Sequence, residues 1–258
     1  MKKILSIAAL ALCTATAFGQ TSESTEKIKS PDGKNLIKVN VTSLFLNNYS
    51  FQYERAVGKK ISAGLGFRFM PKSGMPLKST IEKLIDDEET VKQLETFKTS
   101  NFALTPEVRF YLGKSVYRGF YVAPYARIAN FKADLPSFSY TFEGTANGQT
   151  VTQTETIPLS GNLNTVTGGL MLGAQWKLSR LLYLDWWIIG AQYGTANGNI
   201  KGSKTLSNEE QQALREELED LDIPNIDTEV TVDASGAKVD MKGPWAGLRG
   251  GLAIGVRF

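Results

Sequence analysis

The chain has 258 residues, carries 29 lysines and arginines against 26 aspartates and glutamates for a net charge of +3, and contains one cysteine and no histidine. These counts exclude cysteine–histidine and serine–histidine–aspartate catalysis and the commonest zinc sites. The basic residues form no block, so no nucleic-acid footprint is indicated.

At the start, Lys2 and Lys3 precede the apolar run ILSIAALAL, and Ala17-Phe18-Gly19 supplies small residues before Gln20. That pattern predicts a cleaved secretory signal peptide over residues 1–19, and hence export. Leu10-Ala11-Leu12-Cys13 partly resembles a lipobox, with bulky Leu12 where a small residue is expected. Cleavage after Gly19 would remove the single thiol, so neither a metal nor a cofactor is expected in the mature chain. Residues 20–34 are polar and aperiodic and read as a periplasmic leader. No stretch of about twenty apolar residues follows, so no transmembrane helix is expected.

Period-two alternation begins at Asn35 and recurs in eight segments, near residues 35–47, 49–57, 61–70, 101–112, 118–130, 163–178, 181–193 and 244–258. Each is long enough to cross an apolar band of about 25 Å when tilted. Short turns fall at Gly58-Lys59-Lys60, Gly113-Lys114-Ser115 and Ser179-Arg180, whereas the connections over residues 71–100, 131–162 and 194–243 are long and only Asn47-Asn48 is tight among the others. Short turns on one side and long loops on the other predict an all-β fold over residues 35–258. The expected fold is an eight-stranded antiparallel transmembrane β-barrel with short periplasmic turns and long, partly helical extracellular loops.

The loops carry signals of their own. Ser79 with Glu82, and Ser207 with Glu210, form capping boxes that open helices predicted over 79–98 and 207–221. SYTFEGTANGQTVTQTETI alternates around Asn147-Gly148, and IDTEVTVDASGAKVDM turns near Ser235-Gly236, so both are expected to be hairpins extending the barrel wall. The acidic runs Asp86-Asp87-Glu88-Glu89 and Glu216-Glu217-Leu218-Glu219-Asp220 read as solvated helix faces or as contacts for a partner; neither has calcium-loop spacing.

In the last segment Ala246, Leu248, Gly250, Leu252, Ile254, Val256 and Phe258 share one face, opposite Trp245, Gly247, Arg249, Gly251, Ala253, Gly255 and Arg257. Alternation alone does not say which face points outward. The polar face decides, because it is mostly glycine, alanine, serine and threonine, which suits a cramped lumen, where a water-facing exterior would be dense in lysine and glutamate. Tyr49, Phe51, Tyr53, Phe110, Phe120, Trp176 and Trp186 lie near strand ends, as aromatic girdles would. Lys38, Glu54, Arg68, Glu107, Arg109, Arg127, Lys177, Asp185, Arg249 and Arg257 then project inward. They are expected to form salt-bridge networks filling a closed interior. The alternatives are a narrow anion-preferring passage and phosphate binding at Arg68, Arg127 and Arg249 near the outer mouth.

The stretch KVNVTSLFLNNYSFQYERAVGKKISAGLGFRF resembles the opening hairpins of small, functionally uncharacterised outer-membrane β-barrels common in Bacteroidetes, and the wider pattern is similar to OmpA-type eight-stranded barrels. The resemblance implies insertion by the barrel-assembly machinery through the terminal strand, with Leu252, Ile254, Val256 and Phe258 as the assembly signal. It also implies a monomer in contact with outer-membrane lipid and lipopolysaccharide. Small barrels of this kind that act as enzymes resemble one another in using histidine. A two-carboxylate mechanism at Glu107 and Asp185 is the remaining enzymatic option, and a non-enzymatic structural or loop-mediated role is expected instead.

Overall fold

The computed structural model describes residues 33–74, 96–146, 149–219 and 225–258, so the expected signal peptide, the Ser79–Glu82 capping box and the Asn147-Gly148 turn lie outside the described residues. Nine strands are present: β1 (Asn35–Asn40), β2 (Tyr49–Ala56), β3 (Ile61–Gly74), β4 (Lys98–Tyr111), β5 (Gly119–Ala146), β6 (Gln149–Lys177), β7 (Leu182–Ser203), β8 (Asp227–Asp233) and β9 (Gly236–Arg257). Two described helices accompany them, α1 (Val41–Leu44) and α2 (Asn208–Glu219).

Consecutive strands pair antiparallel from β1 to β7, β7 pairs with β9, and β9 returns to β1 through the register Leu36↔Arg257 to Asn40↔Ala253. The result is a closed ring of eight strands, with β8 added only along the upper part of β9. Closure leaves no exposed sheet edge where all eight strands run side by side, which is what a strand-built element needs where water cannot satisfy backbone groups. Both described chain ends lie at the end of the ring that carries the short turns, where the Asn35 amide donates to the Phe258 carbonyl and the Phe258 amide to Asn35.

Side chains follow the two faces read from the sequence. Leu65, Phe67, Phe102, Val108, Ile128, Val166, Leu170, Leu252, Ile254 and Val256 are exposed around the outside, and the seven girdle aromatics are exposed with them. Tyr49 stacks on Phe69 at 5.1 Å between ring centroids, and Trp176 on Trp186 at 6.4 Å. The inner face holds glycine and alanine opposite large polar side chains, so each bulky group fills space that a neighbouring strand leaves empty. Gly173 faces the Tyr121 ring, and a Cβ at Gly255 would come 2.5 Å from Lys38 Cγ.

Three expectations need correction. The first strand stops at Asn40 and not near residue 47, because Asn-Val-Thr-Ser offers the backbone a local alternative to the ladder. The Asn40 side chain accepts from the Ser43 amide at 3.0 Å, Ser43 Oγ donates to the Asn40 carbonyl at 2.8 Å, and α1 follows. β4 begins at Lys98, so the helix predicted over 79–98 does not include that residue. Finally, the strands expected over 118–130, 163–178, 181–193 and 244–258 are longer at their loop ends, and the two predicted hairpins extend the barrel wall as expected. β5 to β7 and β9 continue past the ring and, with β8, pair into one sheet, joined through Leu159↔Gly202 and Ser203↔Gly236.

Helix α2 packs on that sheet through Leu206, Leu214, Ile157 and Val232, a small apolar core separate from the ring. Its capping box forms as the sequence predicts. The Glu210 amide donates to Ser207 Oγ at 3.2 Å, and the Ser207 amide donates to Glu210 Oε2 at 2.7 Å. Arg215 Nη2 donates to the Val232 carbonyl at 2.8 Å and ties the helix to β8.

Candidate functional site

All ten charged residues expected in the lumen are carried on the inner face, and they separate by depth into three sets. The lowest complete layer contains Lys38, Glu54, Glu107, Arg109 and Asp185, all buried. Strand register assembles it. Glu54 lies opposite Gly64 and Gly64 opposite Glu107, so a glycine separates the two carboxylates on neighbouring strands. Lys38 lies opposite Gly255, and Asp185 opposite Ala253 on one side and Gln175 on the other.

Arg109 is the hub of this layer. Its Nε donates to Glu107 Oε1 at 2.5 Å, its Nη1 to Asp185 Oδ2 at 2.6 Å, and its Nη2 to Gln52 Oε1 at 2.9 Å, while its guanidinium sits 4.3 Å from the Tyr121 ring centroid. Lys38 Nζ bridges the third acid and Asp185, 2.5 Å from Glu54 Oε2 and 2.6 Å from Asp185 Oδ2. Neutral donors complete the carboxylates: Tyr121 to Asp185 Oδ1 at 2.8 Å, Trp187 Nε1 to Asp185 Oδ2 at 3.0 Å, and Ser62 to Glu54 Oε1. The Tyr111 hydroxyl is 2.7 Å from both Glu54 Oε1 and Gln175 Oε1 and, having one proton, donates to one at a time. Buried charge persists where it is paired and hydrogen-bonded, and every charge of this layer is paired, although Glu107 Oε2 and the Gln52 and Gln175 amide nitrogens are buried without a hydrogen-bond partner.

Below it, at the short-turn end, Arg257 Nε donates to the Gly33 carbonyl at 2.6 Å and Nη1 to the Tyr183 hydroxyl at 3.0 Å. Tyr117, in the β4–β5 turn, donates to the Lys34 carbonyl at 2.5 Å, and burial pushes its hydroxyl well above the usual phenol range. Lys177 is half-buried on the same face and makes no ion pair among the described residues.

Above the layer, toward the long loops, stand Arg68, Arg127 and Arg249. Among the described residues none of the three has a carboxylate within ion-pair distance. Arg127 Nη1 reaches Thr105 Oγ1 at 3.5 Å, and Arg249 lies over Tyr125 and Trp187 at 4.7 and 5.1 Å. Arg68 Nε and Arg249 Nη1 are buried without a hydrogen-bond partner. The expectation that all ten charges join salt-bridge networks is therefore corrected: among the described residues five do, and five do not. Period two fixes which face a residue is on but not its height around a tilted ring, and height decides partners.

Tyr121, Gln52, Gln175, Ser62 and Trp187, which complete the network, were not singled out in the sequence. The first four share the inward period of their charged neighbours, which was the available signal. Trp187 shares it too, two residues past Asp185, before the β7–β9 register shift between Trp187 and Gly190 puts Ile188 and Ile189 both outside. No described group of His, Cys, Asp and Glu could hold a metal ion.

A closed antiparallel ring, apolar outside and charged and hydrogen-bonded inside, defines an inside-out eight-stranded β-barrel. The chain belongs to the DUF3575 family, a protein family of unknown function, whose model matches residues 8–213. No curated protein matches it. Among solved structures it is similar to the N-terminal β-barrel domain of Pseudomonas aeruginosa OprF, at 10% identity and a TM-score of 0.26 over 88% of this chain and 98% of that one. It is also similar to the translocator domain of autotransporter NalP from Neisseria meningitidis, at 9% identity and a TM-score of 0.25 over 100% of this chain and 96% of that one.

Proposed function

We propose that the protein is an integral outer-membrane β-barrel whose lumen is closed and whose specific role lies at its loop end. The observation that carries this reading is the apolar belt: the outside of the ring exposes leucine, isoleucine, valine and aromatic side chains on every strand of the wall. A continuous surface of that kind is far larger than a water-soluble monomer tolerates, and lipid is the solvent it suits. The signal-like N-terminus and the terminal face of Leu252, Ile254, Val256 and Phe258, all exposed, support export and recognition by the barrel-assembly machinery. The barrel is proposed to act as a monomer.

The charged layer argues for a plug over a passage, because Arg109 reaches partners on β2, β4, β6 and β7 and so spans the lumen. It also argues against catalysis: both carboxylates of the two-acid option, Glu107 and Asp185, are bound by the one arginine. The test is direct. Expressed with its own leader, the protein should fractionate with outer membranes and run as a compact, heat-modifiable band in detergent gels. In planar bilayers it should pass no stepwise current, whereas Arg109→Ala with Tyr111→Ala should open small steps. A protein that stays monomeric in buffer without detergent, or large anion-selective steps from the unaltered chain, would overturn the reading.

A further inference from the structure

Two features of the barrel that the plug does not explain meet at one place. The first is the trio Arg68, Arg127 and Arg249. The second is a break in the wall. β1 pairs with β9 only from Leu36↔Arg257 to Asn40↔Ala253 and β8 joins β9 only from Lys242 upward, so over residues 243–252 β9 has strand β7 on one side and no strand on the other. The space is bordered by α1 and the following residues to Asn48. β9 turns away at Gly251, whose φ of +150° disfavours a side chain and where a Cβ would sit 2.7 Å from Asn40 Nδ2 and Thr42 Oγ1. Thr42 Oγ1 then accepts the Leu252 amide at 3.2 Å, ending the seam without an orphaned donor.

A cavity of about 280 Å³ occupies this break. Its inner wall is Arg68, Arg127, Arg249 and Trp187, and its outer rim includes Leu46 and Leu248. Phe45 and Leu248 beside it are the most exposed large apolar side chains of the described ring, at 83% and 76%. Leu248 lies opposite Ala191, Ala191 opposite Leu170 and Leu170 opposite Pro124, so the opening is level with the apolar belt and not above it. Three guanidiniums with no counter-charge among the described residues repel one another, and such an arrangement is stabilised by an anion that arrives from outside.

We infer that this cavity binds a phosphoryl group, held by Arg68, Arg127 and Arg249, with the opening between β9 and α1 giving it access from the side of the barrel. Guanidiniums present forked donors that match phosphate oxygens in pairs, and two buried N–H groups here already lack partners. The phosphoryl group has two sources, a soluble phosphate entering from the mouth or the headgroup of a phosphorylated lipid standing in the belt. The apolar rim at Leu46 and Leu248 suits the acyl part of the second. The lateral route rests on the membrane reading above; the arginine site itself does not.

The experiment uses the full-length mature barrel purified in a neutral detergent, with its heat-modifiable band confirming the folded ring. Calorimetric titrations are run with inorganic phosphate and, separately, with a short-chain phosphatidic acid beside the diacylglycerol of the same chains. Phosphate is expected to bind and to raise Tm. Each of Arg68→Gln, Arg127→Gln and Arg249→Gln should weaken binding about tenfold, the loss of one charge-assisted pair. The triple variant should lose binding while keeping its folded band and, freed of repulsion, an unchanged or higher Tm without phosphate. Phosphatidic acid binding at least about tenfold more tightly than phosphate, with diacylglycerol silent, identifies the lipid source; equal affinities identify the soluble one. Absence of binding by both, or binding undiminished in the folded triple variant, overturns the proposal. A failed membrane reading would show instead as a detergent-independent monomer, whatever the titrations give.

Discussion

Arg109 and Asp185 meet across the lumen at 2.6 Å although β4 and β7 are not neighbours in the ring. The same Asp185 oxygen accepts Lys38 from β1 at 2.6 Å, so one carboxylate ties three strands, β1, β4 and β7, none of which pairs with another. With three acids and two bases, this layer carries one net negative charge, whereas the three arginines above it are all positive.

Asp185→Asn should be the most damaging lumen substitution, because it keeps the volume and leaves Lys38 and Arg109 without the oxygen they share. Breaking one partner of a buried charge set costs about 3–5 kcal/mol. Tyr121→Phe, which removes only one neutral donor from Asp185 Oδ1, should cost about 1 kcal/mol. Urea unfolding from lipid vesicles, followed by tryptophan fluorescence, measures both. If the two substitutions cost the same, Asp185 is not the junction of the network.

The glycines of the inner face are space-makers, and Gly173 tests this. A side chain there would overlap the Tyr121 ring and approach the Trp186 carbonyl at 2.8 Å. Gly173→Val should destabilise the barrel by about 1–3 kcal/mol through overpacking. Combining it with Tyr121→Ala should recover part of that loss. Gly168, where a Cβ would meet nothing, should accept alanine with no measurable change in the same assay.

Faces were legible in the sequence because a strand's period is two and does not depend on what lies around it. The alternation of β9 from Trp245 to Phe258 and of β3 from Ile61 to Phe69 reads directly as inside and outside. Lengths were less legible: the alternation around Asn147-Gly148 marks the upper parts of β5 and β6, but that these are continuous with the ring strands, and that β7 runs on to Ser203, follows from pairing between distant segments. The early end of β1 had a signature, Asn40 followed by Thr42 and Ser43, which reads as a helix cap. Partners within the lumen were least legible, since Arg109 and Arg68 share one face pattern and differ only in height.

Helix α2 packs on an apolar core separate from that of the ring, and its cap tests how far the two are coupled. Ser207→Ala removes the hydroxyl that accepts the Glu210 amide and should destabilise α2 by about 1 kcal/mol. Hydrogen exchange should quicken in residues 208–219 and across β8, to which Arg215 is bonded. Amides of β1 to β4 should exchange as before, and the heat-modifiable band should be unaltered. Uniform acceleration through β1 to β4 would mean that the sheet above the ring and the ring itself open together.

The outward face of β9 carries a prediction that separates location from packing. Ile254 is exposed, lies opposite Val39 and Leu184, and touches none of the lumen charges. Ile254→Arg in a soluble protein would be nearly silent, because an exposed arginine is well hydrated. In a bilayer it should cost about 2–4 kcal/mol near the midplane and less toward either rim. Arg257→Ile, on the inner face, should cost through lost hydrogen bonds to Gly33 and Tyr183 and should do so equally in detergent and in lipid. Comparing unfolding of both variants in micelles and in vesicles of increasing acyl length gives the answer. A penalty for Ile254→Arg that grows with bilayer thickness, beside a constant one for Arg257→Ile, is the outcome expected of a lipid-facing strand; equal and constant penalties would place that face in another environment.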